Sequence, residues 1–480
     1  MRLDDVPTSA PASALPAHPA PTAAGAARRL VGVALGYFMV LLDMTVLAVA
    51  EPDLARSLHP STAGLQWVVT AYTVTFAAAL LSAGAAADRF GARRVFTVGV
   101  VAFGLGSLAC AAAPSLAALV TLRAVLGVAA AVCVPASMAM IADLYPDPAR
   151  RARAVSVWAA VSGAAVAAGP VVGGFLVAAG GWRAVFLVNA PLAALTCALV
   201  GGRPARRSPH DAGRREPAAG PQPRVRRPAA WGAQLAAVAA LALGTDAVIA
   251  SGAGEVVHGA CSLAGTGVAV LALVRLDARS DAPLLVRGPG LAPALVSGAV
   301  VNATLAGVLF VVPLVLTRQT TLTPLETGLA FLPMTVPFAV NPLLTGRLVV
   351  RHGPWPPLLL GMGLLVAGGL ALAAAVQDEG LDRSGGFAVL LGALGALGFG
   401  TSFALPSLVA LVIGLAPPGA AGRASGLFSA TRQLGASVGV ALAGAFVVDA
   451  PARGLVLLAA LCAATLAVLV TARRRGARRS

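Results

Sequence analysis

Two charged side chains stand where long apolar runs leave them no water. Asp43 lies among Met39, Val40, Leu41, Leu42 and Met44, and Arg123 follows the run from Leu116 to Leu122. A carboxylate in lipid is costly unless it is paired, protonated or wetted, so such residues usually mark a pathway. Desolvation and a cationic neighbour bias its proton in opposite senses. Its protonation can therefore respond to what is bound nearby, which is the property proton exchange requires. At 1.5 Å per residue, Arg123 sits about 10 Å below one end of its helix and Asp43 at a similar depth in its own, so an ion pair or a shared water is allowed. Glu51, beside Pro52, lies about 80° further round the same helix and reads either as a second proton stop or as an interfacial carboxylate in water. Arg432, beside Gln433, falls near mid-depth of its run, with Glu326 as a candidate partner. Phe38, Trp67, Tyr72, Phe76 and Trp158 are candidates for lining a cavity that takes an amphipathic molecule, with packing or interface anchoring as the alternative. The five histidines show no metal-ligand spacing. Cys110, Cys133, Cys197, Cys261 and Cys462 lie in apolar runs without a CxxC pair and read as small buried hydrophobes. No metal or cofactor is expected.

These residues are carried by an unusually apolar chain. Of its 480 residues 58% are hydrophobic and 11% charged, with a mean hydropathy of +0.85. Soluble domains average about 45–50% apolar and about 25% charged, so a water-soluble enzyme is excluded and an all-α integral membrane protein is expected. Runs long enough to span a bilayer as helices fall at 30–51, 65–87, 95–113, 116–141, 154–179, 184–201, 231–250, 256–274, 291–316, 326–346, 355–376, 387–413, 422–447 and 454–472. That is about fourteen spans. The net charge is +16, and every basic residue is arginine. Without lysine there is neither a Walker A loop nor a Schiff base, so ATP-driven transport by this chain alone is excluded. The arginines sit between the spans as topology signals rather than as a nucleic-acid surface. They place both termini and the Gly202–Pro228 loop in the cytoplasm of a cell whose Ala-, Gly-, Pro- and Arg-rich coding suggests a GC-rich bacterial genome. The expected layout is a disordered tail at 1–27, a six-helix bundle at 28–201, an Arg/Pro-rich loop at 202–229, a two-helix linker at 230–275, a second six-helix bundle at 290–473 and a basic tail at 474–480.

The halves repeat. Gly84-x-x-x-x-Arg89-x-Gly91 recurs as Gly346-x-x-x-x-Arg351-x-Gly353, Gly127 with Pro135 recurs as Gly398 with Pro406, and Arg153-Ala154 recurs as Arg423-Ala424. Near-constant offsets argue for a duplicated bundle, a common transporter architecture with its site between the halves. In the first half, Leu42–Pro52 (LDMTVLAVAEP), Gly84–Phe96 (GAAADRFGARRVF), Leu122–Gly127 (LRAVLG), Gly169–Gly174 (GPVVGG) and Trp182–Pro191 (WRAVFLVNAP) follow one another on successive spans.

In these motifs the chain resembles the major facilitator superfamily, and within it the fourteen-span drug:proton antiporters. Ala48, Glu51 and Leu126 replace family Asn, Leu and Gln, Ala165 stands where the helix 5 motif begins with Gly, and Val350 replaces the Asp of the first-half loop. The resemblance implies gating by Gly84, Asp88, Arg89, Gly91 and Arg93. It also implies an antiporter motif at Gly169, Pro170, Gly173 and Gly174, and proton or cation handling at Asp43 with Arg123. The expected function is a monomeric, proton-coupled antiporter exporting amphipathic, including cationic, small molecules across the cytoplasmic membrane. The alternatives are a self-resistance exporter for one natural product and a metabolite symporter.

Overall fold

The computed structural model describes residues 23–201, 290–377, 381, 385–416 and 421–477. Between 236 and 278 it describes all but a few positions between 237 and 254. The expected loop at 202–229 and most of the amino-terminal tail lie outside the described residues.

The described chain is helical: α1 (Ala23–Leu58), α2 (Thr62–Phe90), α3 (Ala92–Ala111), α4 (Leu116–Leu144), α5 (Pro148–Leu187), α6 (Asn189–Val200), α7 (Val256–Ala278), α8 (Leu291–Gln319), α9 (Pro324–Ala330), α10 (Leu332–His352), α11 (Trp355–Ala375), α12 (Gly386–Leu415), α13 (Ala421–Gly444) and α14 (Pro451–Ala477). Helical residues also occur between 236 and 250. Among the described residues, nine helical segments are long and apolar enough to cross a membrane. Starts follow local chemistry. The Ser61 and Ser115 hydroxyls accept from the Gly64 and Ala118 amides at 3.1 and 3.3 Å, and Asp147 accepts from Arg150 at 2.8 Å with Pro148 opening the first turn.

Several boundaries differ from expectation. Residues 23–27 are helical, since an Ala-rich AAGAA stretch extends α1 at little cost. At the far end α1 runs through Pro52 to Leu58, and α14 takes in the basic residues up to Ala477. The span expected at 326–346 is two helices. Thr323 and Glu326 form a capping box that starts α9, and Pro333 starts a new first turn after Phe331. The Thr323 backbone N–H and then its hydroxyl hold the exposed Glu326 carboxyl below the usual carboxylate range. Within α5, Gly180 and Gly181 break the helix, Gly181 at φ 68°. The Asp53 carboxylate accepts the Trp182 amide at 2.8 Å, so the end of α1 caps the segment that continues into α6.

The duplication is visible in packing. A Cβ at Gly127 of α4 would collide with Thr75 and the Tyr72 carbonyl of α2, and one at Gly398 of α12 would collide with the Met334 carbonyl of α10. Gly169 of α5 is pressed on Thr45 of α1, and a Cβ at Gly173 would come 2.7 Å from the Val46 carbonyl. Gly435 and Gly439 of α13 press likewise on Ala299 and Ala303 of α8. Small residues let membrane helices approach this closely. The loops match too: Gly91 (φ 89°) and Gly353 (φ 75°) turn the chain out of α2 and α10 in a backbone region that side chains disfavour.

The halves meet between α5 and α10, where a Cβ at Gly163 would come 2.9 Å from the Phe338 carbonyl, and at the end where α1 gives way to α2. Gln66 Nε2 donates to the Val440 and Ala441 carbonyls at 3.3 and 3.1 Å, and the Thr73 and Ser437 hydroxyls are 2.7 Å apart. Gly174 abuts Pro324, and Gly328 abuts Pro170. At the opposite end the repeated loops stand clear: a Cβ added at Gly84, Gly91, Gly346 or Gly353 would meet nothing within 4 Å.

Candidate functional site

Between the halves lies a cavity of about 430 Å³, within the range that holds a drug-sized molecule. One face of α1 runs along it. Tyr37, Leu41, Met44, Ala48 and Glu51 recur at steps of three and four residues and all line the void. Across from them α8 contributes Asn302 and α13 contributes Arg432 and Gln433, while Tyr72, Phe76 and Trp158 come from α2 and α5.

Arg123 forms the wall nearest Asp43. Its Nη1 donates to Asp43 Oδ2 at 2.5 Å, its Nε donates to the Val68 carbonyl at 3.1 Å, and its guanidinium carbon lies 4.4 Å from the Tyr72 ring centroid. Both charged side chains are 1% exposed. Asn189 donates to the other Asp43 oxygen at 2.9 Å and contacts the Ser107 hydroxyl at 3.0 Å. Asp43 thus stands behind Arg123 with each oxygen engaged, and it is Arg123 that borders the void. A buried pair of this kind holds together only because its remaining hydrogen bonds are met. Removing its charge on either side frees the other partner.

Glu51 is not an interfacial carboxylate in water. Because α1 continues past Pro52, Glu51 remains inside the bundle at 2% exposure and lines the cavity, with no hydrogen-bond partner at Oε2 among the described residues. Arg432 does not meet Glu326, which is engaged at the α9 cap. Its Nη2 donates to Asn302 Oδ1 at 3.2 Å, with Phe428 5.8 Å from its guanidinium carbon. Phe38 and Trp67 do not line the cavity. The neighbouring Tyr37 does, stacked on Trp158 at 4.4 Å and 3°. One residue along a helix is a 100° rotation, enough to exchange the two faces.

Asn189 was not singled out in the sequence, although it lies inside the WRAVFLVNAP motif; a neutral amide in an apolar run gives a weaker signal than a charge. In the last turn of α2, Arg89 is exposed, its guanidinium carbon 5.0 Å from the Phe90 ring. The Asp88 side chain lies outside the described residues. Cys261 is exposed on α7, unlike the buried Cys110, Cys133 and Cys462. In the linker, Asp246 accepts from Ser262 at 2.5 Å and lies 2.8 Å from His258 Nε2.

A membrane-embedded bundle of two like halves around a central amphipathic cavity defines a transporter rather than an enzyme. The chain belongs to the Major Facilitator Superfamily, whose profile matches residues 33–376 and, over the second half, 294–480. It is 33% identical over 421 residues to the multidrug resistance protein Stp of Mycobacterium tuberculosis, covering 86% of this chain and 74% of that protein. It is 32% identical over 448 residues to the tetracenomycin C resistance and export protein of Streptomyces glaucescens, covering 90% and 77%. Among solved structures, a bacterial homologue of the human lysosomal transporter Spinster superposes with a TM-score of 0.62 at 17% identity, covering 94% of this chain and 96% of that one.

Proposed function

We propose that the protein exports amphipathic drugs or antibiotics across the cell membrane, exchanging them for protons by alternating access. The observation that carries this reading is the cavity itself: an apolar and aromatic chamber between two halves, bordered by the Glu51 carboxyl group and by the arginine of a buried ion pair. The relatives named for multidrug resistance and for tetracenomycin C export support the direction and the kind of cargo. The tetracenomycin relative also favours a second reading, a self-resistance exporter for a single natural product.

With both termini and the arginine-rich segments in the cytoplasm, the seal at Gln66, Thr73 and Ser437 closes the outer side, and the chamber belongs to a form that loads from within. Protonation of Asp43 would cancel its hold on Arg123 and leave an unpaired guanidinium on the cavity wall; loss of that proton would pair it again. Glu51, on the cavity face of α1 and about 12 Å nearer the sealed end than Asp43, is the group that can pass a proton between the outside and this pair. Transport follows from linkage, since a site that binds proton and cargo with opposite preference exchanges one for the other.

The test is efflux of a substrate panel from everted vesicles, with and without a protonophore. Export that stops when the gradient collapses, and that Asp43→Asn abolishes in protein still present in the membrane, is the expected result. Undiminished export after collapse would end the coupling reading.

A further inference from the structure

The cavity's charges are unequally matched. Arg123 is neutralised by Asp43 at 2.5 Å. Arg432 has no such partner: among the described residues it forms no ion pair, its only hydrogen bond is to the neutral Asn302 amide oxygen, and its Nε is buried with no acceptor. Tyr37, Arg432, Glu51 and Arg123 all line the same chamber. Tyr37 and Glu51 are fourteen residues apart on one helix face, about 21 Å along its axis. The chamber therefore holds an uncompensated guanidinium together with the stacked Tyr37–Trp158 rings, and those rings lie far along α1 from Glu51. Leaving such a donor unmet in a low-dielectric site is costly, and a guanidinium fork suits a planar pair of oxygens.

We infer that Arg432 receives a carboxylate of the cargo, while the aromatic rings of the same chamber take its aromatic body, so that the preferred substrates are amphipathic aromatic acids rather than lipophilic cations. This deepens the export reading by naming the substrate class. It narrows the expected range of amphipathic cargo, cations included, to anionic aromatic molecules.

Three probes with one ring system separate the possibilities: pyrenebutyrate, pyrenebutanol and pyrenebutylammonium. Binding to the purified full-length protein in detergent is followed by energy transfer from tryptophan to pyrene, with no gradient present. Pyrenebutyrate is expected to bind about tenfold more tightly than pyrenebutanol, the margin of a charge-assisted contact. Arg432→Gln is expected to bring the two within about twofold, and Arg432→Lys to keep part of the margin. Asn302→Asp sets a carboxylate where the amide oxygen now lies 3.2 Å from Arg432 and is expected to erase the acid's advantage without removing the arginine. It carries the test if Arg432→Gln fails to fold. Tightest binding of pyrenebutylammonium by the unmodified protein overturns the proposal, as does an acid preference that survives both changes. The export reading fails separately: a protein that binds pyrenebutyrate through Arg432 yet moves no compound in vesicles sinks export and leaves this site standing.

Discussion

Breaking the Asp43–Arg123 pair from its two sides strands different charges. Arg123→Ala leaves a carboxylate sealed behind the cavity wall with Asn189 as its remaining donor, a loss expected to cost about 3–5 kcal/mol. Asp43→Asn leaves a guanidinium that still rests on the Val68 carbonyl and the Tyr72 ring and borders the void, so its penalty is smaller. The Asp43→Asn/Arg123→Leu double variant is expected to recover most of the stability lost in Arg123→Ala, while export remains absent. Thermal unfolding in detergent beside vesicle efflux reads both; a double variant as unstable as Arg123→Ala alone would mean that the arginine matters for packing rather than charge. Glu51→Gln keeps the side chain's size and removes only its proton. Gradient-driven efflux is expected to fall by about tenfold or more, with pyrenebutanol binding in detergent within about twofold of the parent. The two ionised residues of the pair were legible in the sequence because nothing but a partner or a pathway explains a charge in an apolar run. Glu51's burial was not, because Pro52 reads as a helix end, whereas the structure carries the helix through it.

At the scale of elements, the helices are held by glycine steps that recur in both halves, and these steps differ from glycines that face open space. Within α12, Gly398 is pressed on the Met334 carbonyl, while a Cβ at Gly392, six residues earlier, would meet nothing within 4 Å. Gly398→Ala is expected to destabilise by about 1–3 kcal/mol, because α10 must move away. Gly392→Ala is expected to be neutral or to stabilise by up to about 1 kcal/mol through helix propensity. Thermal shifts of the two purified variants decide it, and equal effects would show that α12 does not depend on close approach. The existence of these helices was readable from apolar length, and the recurrence of Gly127 and Gly398 already pointed to matching contacts. Their faces were less readable. Phe38 and Tyr37 are both aromatic in one apolar helix, and which of them meets the cavity depends on where α5 lies against α1, a tertiary fact with no local signature. Likewise the break between α9 and α10 depends on a capping box whose Thr-Pro-Leu-Glu sequence is easily absorbed into a neighbouring apolar run.

For the whole molecule, the repeat in sequence became a repeat in packing, with α4 on α2 as α12 is on α10, and α5 on α1 as α13 is on α8. Which end of the chamber is sealed could not be read from the sequence, since it depends on how the two halves pack on each other rather than on any local signal. The seal itself offers a way to stop the motion. The Thr73 and Ser437 oxygens, 2.7 Å apart across the two halves, stand where a pair of cysteines can join. Thr73→Cys with Ser437→Cys, in a Cys261→Ala background that removes the exposed native thiol, is expected to cross-link on mild oxidation. If the halves rock about the cavity, the oxidised protein still binds pyrenebutyrate from the arginine-rich side, yet export falls to background and returns on reduction. Binding and transport thus separate in one molecule, which loss of folding would not produce. Transport that continues with the bond intact would mean that cargo leaves by a route other than separation of α2 from α13, and the alternating motion of the two halves would have to be abandoned.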